Sequence, residues 1–237
     1  MDNSIYAALA RQSGLMKEMQ IVANNMANIS TTGFRREGVL FAEHVDNLEG
    51  DGPSLSMAHA SGRLVDLEQG PLSATGGSLD FAIEGDGFFM IETPEGNQLT
   101  RAGSFLRSPE GELVSPEGYR VLDTGGSPIF LPADQGEISL AQDGTLSARG
   151  APLAQIGLYM PEDVADLSLQ AGTRFAVPEG TAPAENARLL QGYVEQSNVD
   201  PVLEISRMIE VQRAYELGQK FLDREDDRIR SVITTLK

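Results

Sequence analysis

The chain has 237 residues, no Cys, two His and a formal net charge of −17. Without Cys there is no disulfide framework, thiolate metal site or thiol nucleophile, and His44 and His59 alone cannot build a multi-His metal site. The acidic balance argues against nucleic acid and anionic membrane surfaces as partners, because both favour basic patches.

The charge is unevenly spread. Residues 1–33 carry two bases and two acids, and residues 198–237 carry seven bases and eight acids. The stretch 34–197 therefore holds −16 of the −17. Neutral ends can pack against copies of themselves, while an acidic body stays solvated. No apolar run approaches the ~18 residues of a membrane span. The start also lacks the basic segment and apolar core of a secretory signal. No membrane insertion is expected.

Asp2, Asn3 or Ser4 can cap a first helix. Ile5, Leu9, Gln12, Met16, Met19, Ala23 and Met26 follow at alternating spacings of four and three, a heptad stripe with one polar break. The stripe predicts a helix over about 3–28, with three Met giving a soft, adaptable face. Asn24, Asn25 and Asn28 are unusual in a helix interior, since Asn competes for backbone hydrogen bonds and favours ends. They are expected to satisfy amides and carbonyls where this helix stops. Thr31-Thr32-Gly33 then turns the chain, Gly33 being free to take positive φ.

Asn24-Asn25-Met26-Ala27-Asn28 followed by Thr32-Gly33-Phe34-Arg35 resembles the N-terminal signature of the rod, hook and hook-associated axial proteins of the bacterial flagellum. Met26 replaces the Leu of that signature, a volume-conserving change.

Residues 37–77 read as transitional, with an exposed loop at 49–53 and a possible strand in 62–70. From 79 to 195 short apolar segments alternate with turns. Strands are predicted at 79–83, 88–91, 99–106, 112–114, 119–122, 129–131, 138–140, 156–160 and 174–177. Pro-Glu-Gly at Pro94, Pro109, Pro116 and Pro178 is a hairpin-forming tripeptide. Asp143-Gly144 is a further hairpin turn. The middle reads as all-β.

The flagellar resemblance extends through this region. Gly77-Ser-Leu-Asp-Phe-Ala-Ile-Glu-Gly-Asp-Gly-Phe-Phe89 looks like a family block, with Ser78 in place of Pro. Leu99-Thr-Arg-Ala-Gly-Ser-Phe105 follows, with Leu99 in place of Tyr, then Gly111-Glu-Leu-Val114 and Gly118-Tyr-Arg-Val-Leu122. Gln196-Ser-Asn-Val199 and Gln212-Arg-Ala-Tyr-Glu216 resemble its C-terminal motifs.

Asp200 as cap and Pro201 in the first turn open a last helix. Met208, Val211, Tyr215, Gly218, Leu222, Glu225, Ile229, Val232 and Leu236 again alternate three and four.

Chemistry-bearing patterns are weak. Gly85-Asp-Gly87 lacks the third Gly of a dinucleotide loop and the Lys-Ser/Thr of a P-loop, so it reads as a tight turn. Acid pairs such as Asp80 and Glu84 are unremarkable among twenty-five acids in the middle. No catalytic, cofactor-binding or metal-binding residue is assigned, and the chain is read as no enzyme.

The expected fold is α+β: long N- and C-terminal helices forming a coiled-coil-like domain (1–33 and 198–237), a transitional segment (34–77) and an inserted β-rich outer domain (78–197). The stripes and motif residues together make the expected subunit interface: Ile5, Leu9, Met16, Met19, Asn24, Asn25, Met26, Asn28, Thr32, Gly33, Phe34, Met208, Val211, Tyr215, Leu222 and Ile229. The resemblance implies a structural subunit of the flagellar basal-body rod in the periplasm. It implies polymerisation through the terminal helices with copies of itself and with neighbouring proximal and distal rod proteins. It also implies passage through the flagellar type III export apparatus. The start Met-Asp-Asn-Ser-Ile-Tyr, the modest length and the lack of a large middle insertion look most like a proximal rod subunit. A distal rod subunit is the runner-up, and a secreted carbohydrate-binding β module on a coiled-coil stem is the reading of another class.

Overall fold

The computed structural model describes residues 2–46, 55–132, 136, 138–163, 167–176, 180–184 and 187–235, and the side chains of these except 2–7, 41–46 and 55–61. The loop at 49–53, Pro178, Val177 and Leu236 lie outside the described residues, as does the side chain of Ile5. The protein is α+β, with a helix near each end and a β-rich middle. It divides into two compact units, one built from Met1–Ala27, Glu37–Asp66 and Asp200–Lys237, the other from Asn28–Arg36 and Leu67–Val199.

The first unit holds helix α1 (Asp2–Ala27), strands β1 (Glu37–Asp46) and β2 (Leu55–Val65), and helix α2 (Pro201–Thr235). At 1.5 Å per residue α1 is about 39 Å long and α2 about 52 Å. Asp200 caps α2: its Oδ1 accepts from the amides of Val202 (2.8 Å) and Leu203 (3.1 Å), with Pro201 in the first turn. β1 and β2 pair antiparallel from Glu37↔Val65 to Asp46↔Leu55, with a bulge at Leu40/Phe41. This long hairpin occupies what the sequence reads as a transitional segment. Val39, Leu40, Phe41 and Val45 are strand formers, though without strict alternation.

The second unit is a set of small antiparallel sheets. In chain order its strands are β3 (Leu72–Ala74), β4 (Phe81–Glu84), β5 (Phe88–Thr93), β6 (Gly96–Thr100), β7 (Leu106–Arg107) and β8 (Leu113–Val114). Then come β9 (Arg120–Val121), β10 (Ile138–Leu140), β11 (Thr145–Ala148), β12 (Ala151–Gln155), β13 (Leu158–Pro161) and β14 (Ser168–Ala171). The last four are β15 (Arg174–Ala176), β16 (Thr181–Pro183), β17 (Arg188–Gln191) and β18 (Tyr193–Glu195). The largest sheet runs β14-β15-β6-β5-β9-β8-β7, with β13 on β5 and β16 on β13.

Turn chemistry sets these connections. Pro94-Glu95 closes the β5–β6 hairpin at Thr93↔Gly96. In the next two hairpins the Gly of the tripeptide takes positive φ, Gly111 donating to Ser108 O and Gly118 to Ser115 O. Asp143-Gly144 turns β10 into β11, Gly144 N donating to Ala141 O. Gly85-Asp86-Gly87 is the tight turn between β4 and β5. The expected strand 99–106 is instead two, because residues 101–105 leave the ladder between β6 and β7, apart from a single bridge of Ser104 to Asp80. The core includes Phe81, Ile83, Phe89, Ile91, Phe105, Leu113, Val121 and Leu146, all 2 % exposed or less. Phe89 and Phe105 meet edge-to-face at 5.1 Å.

Candidate subunit interface

In the first unit, α1 and α2 run antiparallel. Gln12 Nε2 donates to Tyr215 O (3.0 Å), and further along Arg207 Nε donates to Glu18 Oε1 (2.6 Å). On α2 the stripe read from the sequence does turn inward: Val211 is buried, and Met208, Tyr215, Gly218, Leu222 and Glu225 are half-buried. The same spacing continues into Ile229 and Val232, which are 41 % and 53 % exposed.

Helix α1 is rotated from its expected stripe. Gln12, Glu18, Ile21, Val22 and Asn25 are its buried polar and apolar side chains, whereas Leu9 and Met16 are 50 % and 41 % exposed. The reason is that α1 packs on the β1–β2 hairpin as well as on α2, so two faces are in use rather than one seam. Asn25 accounts for the Asn-rich helix end. It donates from Nδ2 to Glu37 O and accepts at Oδ1 from Glu37 N, both 2.9 Å, thereby pairing both backbone groups of the first strand residue. Asn24 Nδ2 donates to the Glu37 carboxylate at 2.9 Å.

Other expected interface residues divide by exposure. Met19, Asn24, Met26, Asn28 and Thr32 are half-buried; Asn25, Gly33 and Phe34 are buried within the chain itself. A residue buried in this way has no surface left to offer a neighbour. Gly33, with φ 71°, lies so close to Arg101–Ala102 that a Cβ would collide with that backbone.

A further set of exposed apolar side chains lies outside the stripe. Val202, Leu203, Ile205, Ile209, Leu217, Phe221 and Ile233 on α2 are all more than 40 % exposed. A heptad pattern marks one seam, and these residues lie on other faces of the same helix.

The second unit contains a buried charge cluster that sequence reading missed. Arg35, Arg101 and Glu195 are 1 %, 3 % and 1 % exposed. Glu195 Oε1 lies 2.9 Å from Arg35 Nη2 and accepts from Gly70 N at 2.9 Å, while Oε2 is 3.6 Å from Arg101 Nη1. Gly33 N donates to Glu195 O (2.8 Å), Asn198 Nδ2 donates to Glu68 O (2.8 Å), and Arg36 N donates to Asn198 Oδ1 (2.6 Å). Arg35 also donates to Glu68 O. The segments around 33–36, 68–70, 101 and 195–198 are thus tied to one another through one carboxylate and one amide. Burial pushes Arg101 down to about 10, with Glu195 opposing the fall and Arg35 adding to it. The guanidinium stays charged at neutral pH. Two adjacent Arg usually form a solvated face; Arg36 is exposed, whereas Arg35 is buried.

The similarities to known proteins agree with this architecture. The description "Flagella basal body rod protein" matches residues 5–35, "Flagellar hook protein FlgE/F/G D1 domain" matches 82–148, and "Flagellar basal body rod FlgEFG protein C-terminal" matches 190–235. All three describe axial proteins of the flagellum. The flagellar basal-body rod protein FlgF of Caulobacter vibrioides is 38 % identical over 100 % of this chain and 98 % of its own. The FlgF of Mesorhizobium japonicum is 41 % identical over 91 % of this chain and 90 % of its own. FlgG of Bacillus subtilis is 29 % identical over 97 % of both. The chain belongs to the FlgF-type flagellar basal-body rod protein family. It is a structural subunit of the rod of the flagellar basal body. Similarity that runs from end to end, β region included, does not favour a carbohydrate-binding module on a stem.

Proposed function

We propose that this chain polymerises through α1 and α2 into the proximal part of the rod. The observation that carries this is the row of exposed apolar side chains along α2, among them Val202, Ile209, Leu217 and Phe221. A solvated monomer gains nothing from such a surface, and neighbouring subunits bury it. The contacts are heterologous and do not close, which gives an open helical tube rather than a ring. The α1–α2 pair forms the coiled-coil-like part of each subunit, and Leu9, Met16, Met19, Met26 and Ile229 join the exposed α2 residues in the wall. Met at three of these positions adapts to neighbours that are not identical to one another. Copies of this chain and the adjoining rod proteins are the partners, and the wall so formed transmits torque. The chain reaches the periplasm through the flagellar export apparatus. No part of this role calls for catalysis or a cofactor.

The test is complementation of a strain lacking the protein with a chain carrying Val202→Ser, Ile209→Ser and Phe221→Ser. The expected result is a soluble, folded protein that is exported yet restores no motility and no complete rods. Wild-type motility from this variant would overturn the reading.

A further inference from the structure

The second unit is not one continuous stretch of chain. Besides Leu67–Val199 it takes in nine residues, Asn28–Arg36, that begin at the end of α1 and run on into β1. Inside the first unit Asn25 already pairs with both backbone groups of Glu37, so α1 and β1 are joined directly. The nine residues are therefore a strap, free to belong elsewhere. None of them is in a strand or a helix. The strap does have a shape of its own: Thr31 N donates to Asn28 O, Phe34 N donates to Thr31 O, and Thr31 Oγ1 bonds Asn28 Oδ1.

Its hold on the second unit is concentrated at one end. Gly33 N donates to Glu195 O (2.8 Å), Asn198 N donates to Phe34 O (3.4 Å), and Arg36 N donates to Asn198 Oδ1 (2.6 Å). Arg35 meets the Glu195 carboxylate. Gly33 sits at the closest approach, where a Cβ would strike the Arg101–Ala102 backbone. The rest of the unit does not lean on the strap. Every sheet from β3 to β18 and the whole core around Phe81, Phe89 and Phe105 are drawn from Leu67–Val199, and Phe34, though buried, is no member of that core.

The charges allow the strap to leave as well. Undocking takes Arg35 out with its charge, while Arg101 and Glu195 remain opposite one another. Arg35 repels Arg101, so its departure relieves a like-charge contact in a poorly solvated place. Glu195 is thus the group that holds Arg35 in, and Arg101 works against it.

We infer that residues 28–36 are a latch that docks on an already folded β-rich unit and leaves it in one step, with Glu195 as the catch. Released, the β-rich unit keeps its core and its sheets. Because the strap continues covalently into α1 and β1, docking is a point at which the two units are coupled, and release uncouples them there.

The test is native-state hydrogen exchange of the full-length protein in urea below its unfolding transition. The amides of Gly33, Arg36 and Asn198 report on the latch. Those of Leu113 and Ile129, bonded to Ile129 O and Val121 O, report on the β-rich body. The latch amides are expected to exchange together, about tenfold or more faster than the body amides and with a weaker dependence on urea, since little surface is exposed. Latch amides that share the rate and the urea slope of Leu113 and Ile129 would overturn the inference. A Gly33→Ala chain forces a Cβ into the Arg101–Ala102 backbone at positive φ. It should speed exchange at Arg36 and Asn198 by about tenfold or more and open the Arg35–Arg36 bond to trypsin, leaving Leu113 and Ile129 unmoved. Protection lost at Leu113 and Ile129 in parallel would make the strap part of the core, and no change at Arg36 and Asn198 would equally sink the latch. Arg35→Gln should speed exchange at Gly33 to a smaller degree, and unaltered exchange there removes Glu195 as the catch.

Discussion

The two units of this chain treat apolar side chains in opposite ways. In the second unit Phe81, Phe89, Ile91, Phe105, Leu113 and Val121 are sealed in a core, and even its buried charges answer one another inside the fold. In the first unit, α2 contributes one fully buried apolar side chain, Val211, and exposes more than half a dozen. A β unit that satisfies itself is a finished object. A helical unit that does not is half of an interface. On the proposed reading, one part keeps its shape alone and the other acquires its full environment among neighbouring subunits.

Substitutions can be ordered by how strongly they should disturb this contrast. The largest effect is expected for Glu195→Gln, which removes the carboxylate charge that the buried Arg35 and Arg101 share and should cost about 3–5 kcal/mol. Urea unfolding followed by signals from the β region reads it, and a loss below about 1 kcal/mol would show the cluster to be loosely solvated. Asn25→Ala removes both partners of the Glu37 backbone and should cost about 1–3 kcal/mol, seen as faster amide exchange at Glu37 and in the adjoining strand. Unchanged protection there would mean that water replaces the amide. Asp200→Ala deletes the α2 cap and should cost about 1 kcal/mol, measured as a fall in helical circular dichroism on heating. The smallest stability effect, within about 0.5 kcal/mol, is expected for Leu217→Ser on the exposed face of α2. That same change should visibly reduce association at high concentration by sedimentation, and a marked drop in melting temperature instead would place Leu217 in a core.

Parts of the molecule decided by neighbours along the chain were readable from residues alone. Asp200-Pro201 opens α2 because a side-chain oxygen three residues away can reach an unsatisfied amide. Pro-Glu-Gly and Asp143-Gly144 close hairpins because φ preferences are local. The inward stripe of α2 was legible because that helix spends one face on α1. Other features required the folded chain. The rotation of α1 depends on a β1–β2 hairpin packing on its second face, and nothing within α1 records that hairpin. Gly33 and Phe34 read as interface residues, yet both are buried within the chain, where Glu195 and Ala102, far off in sequence, approach Gly33. Arg35 reads as a surface cation, since burial of a charge is affordable only when a partner from more than a hundred residues away arrives with it. Periodicity and turn residues determine which elements form. Which faces are buried, and which remain open to another subunit, is decided by long-range packing that no local pattern contains.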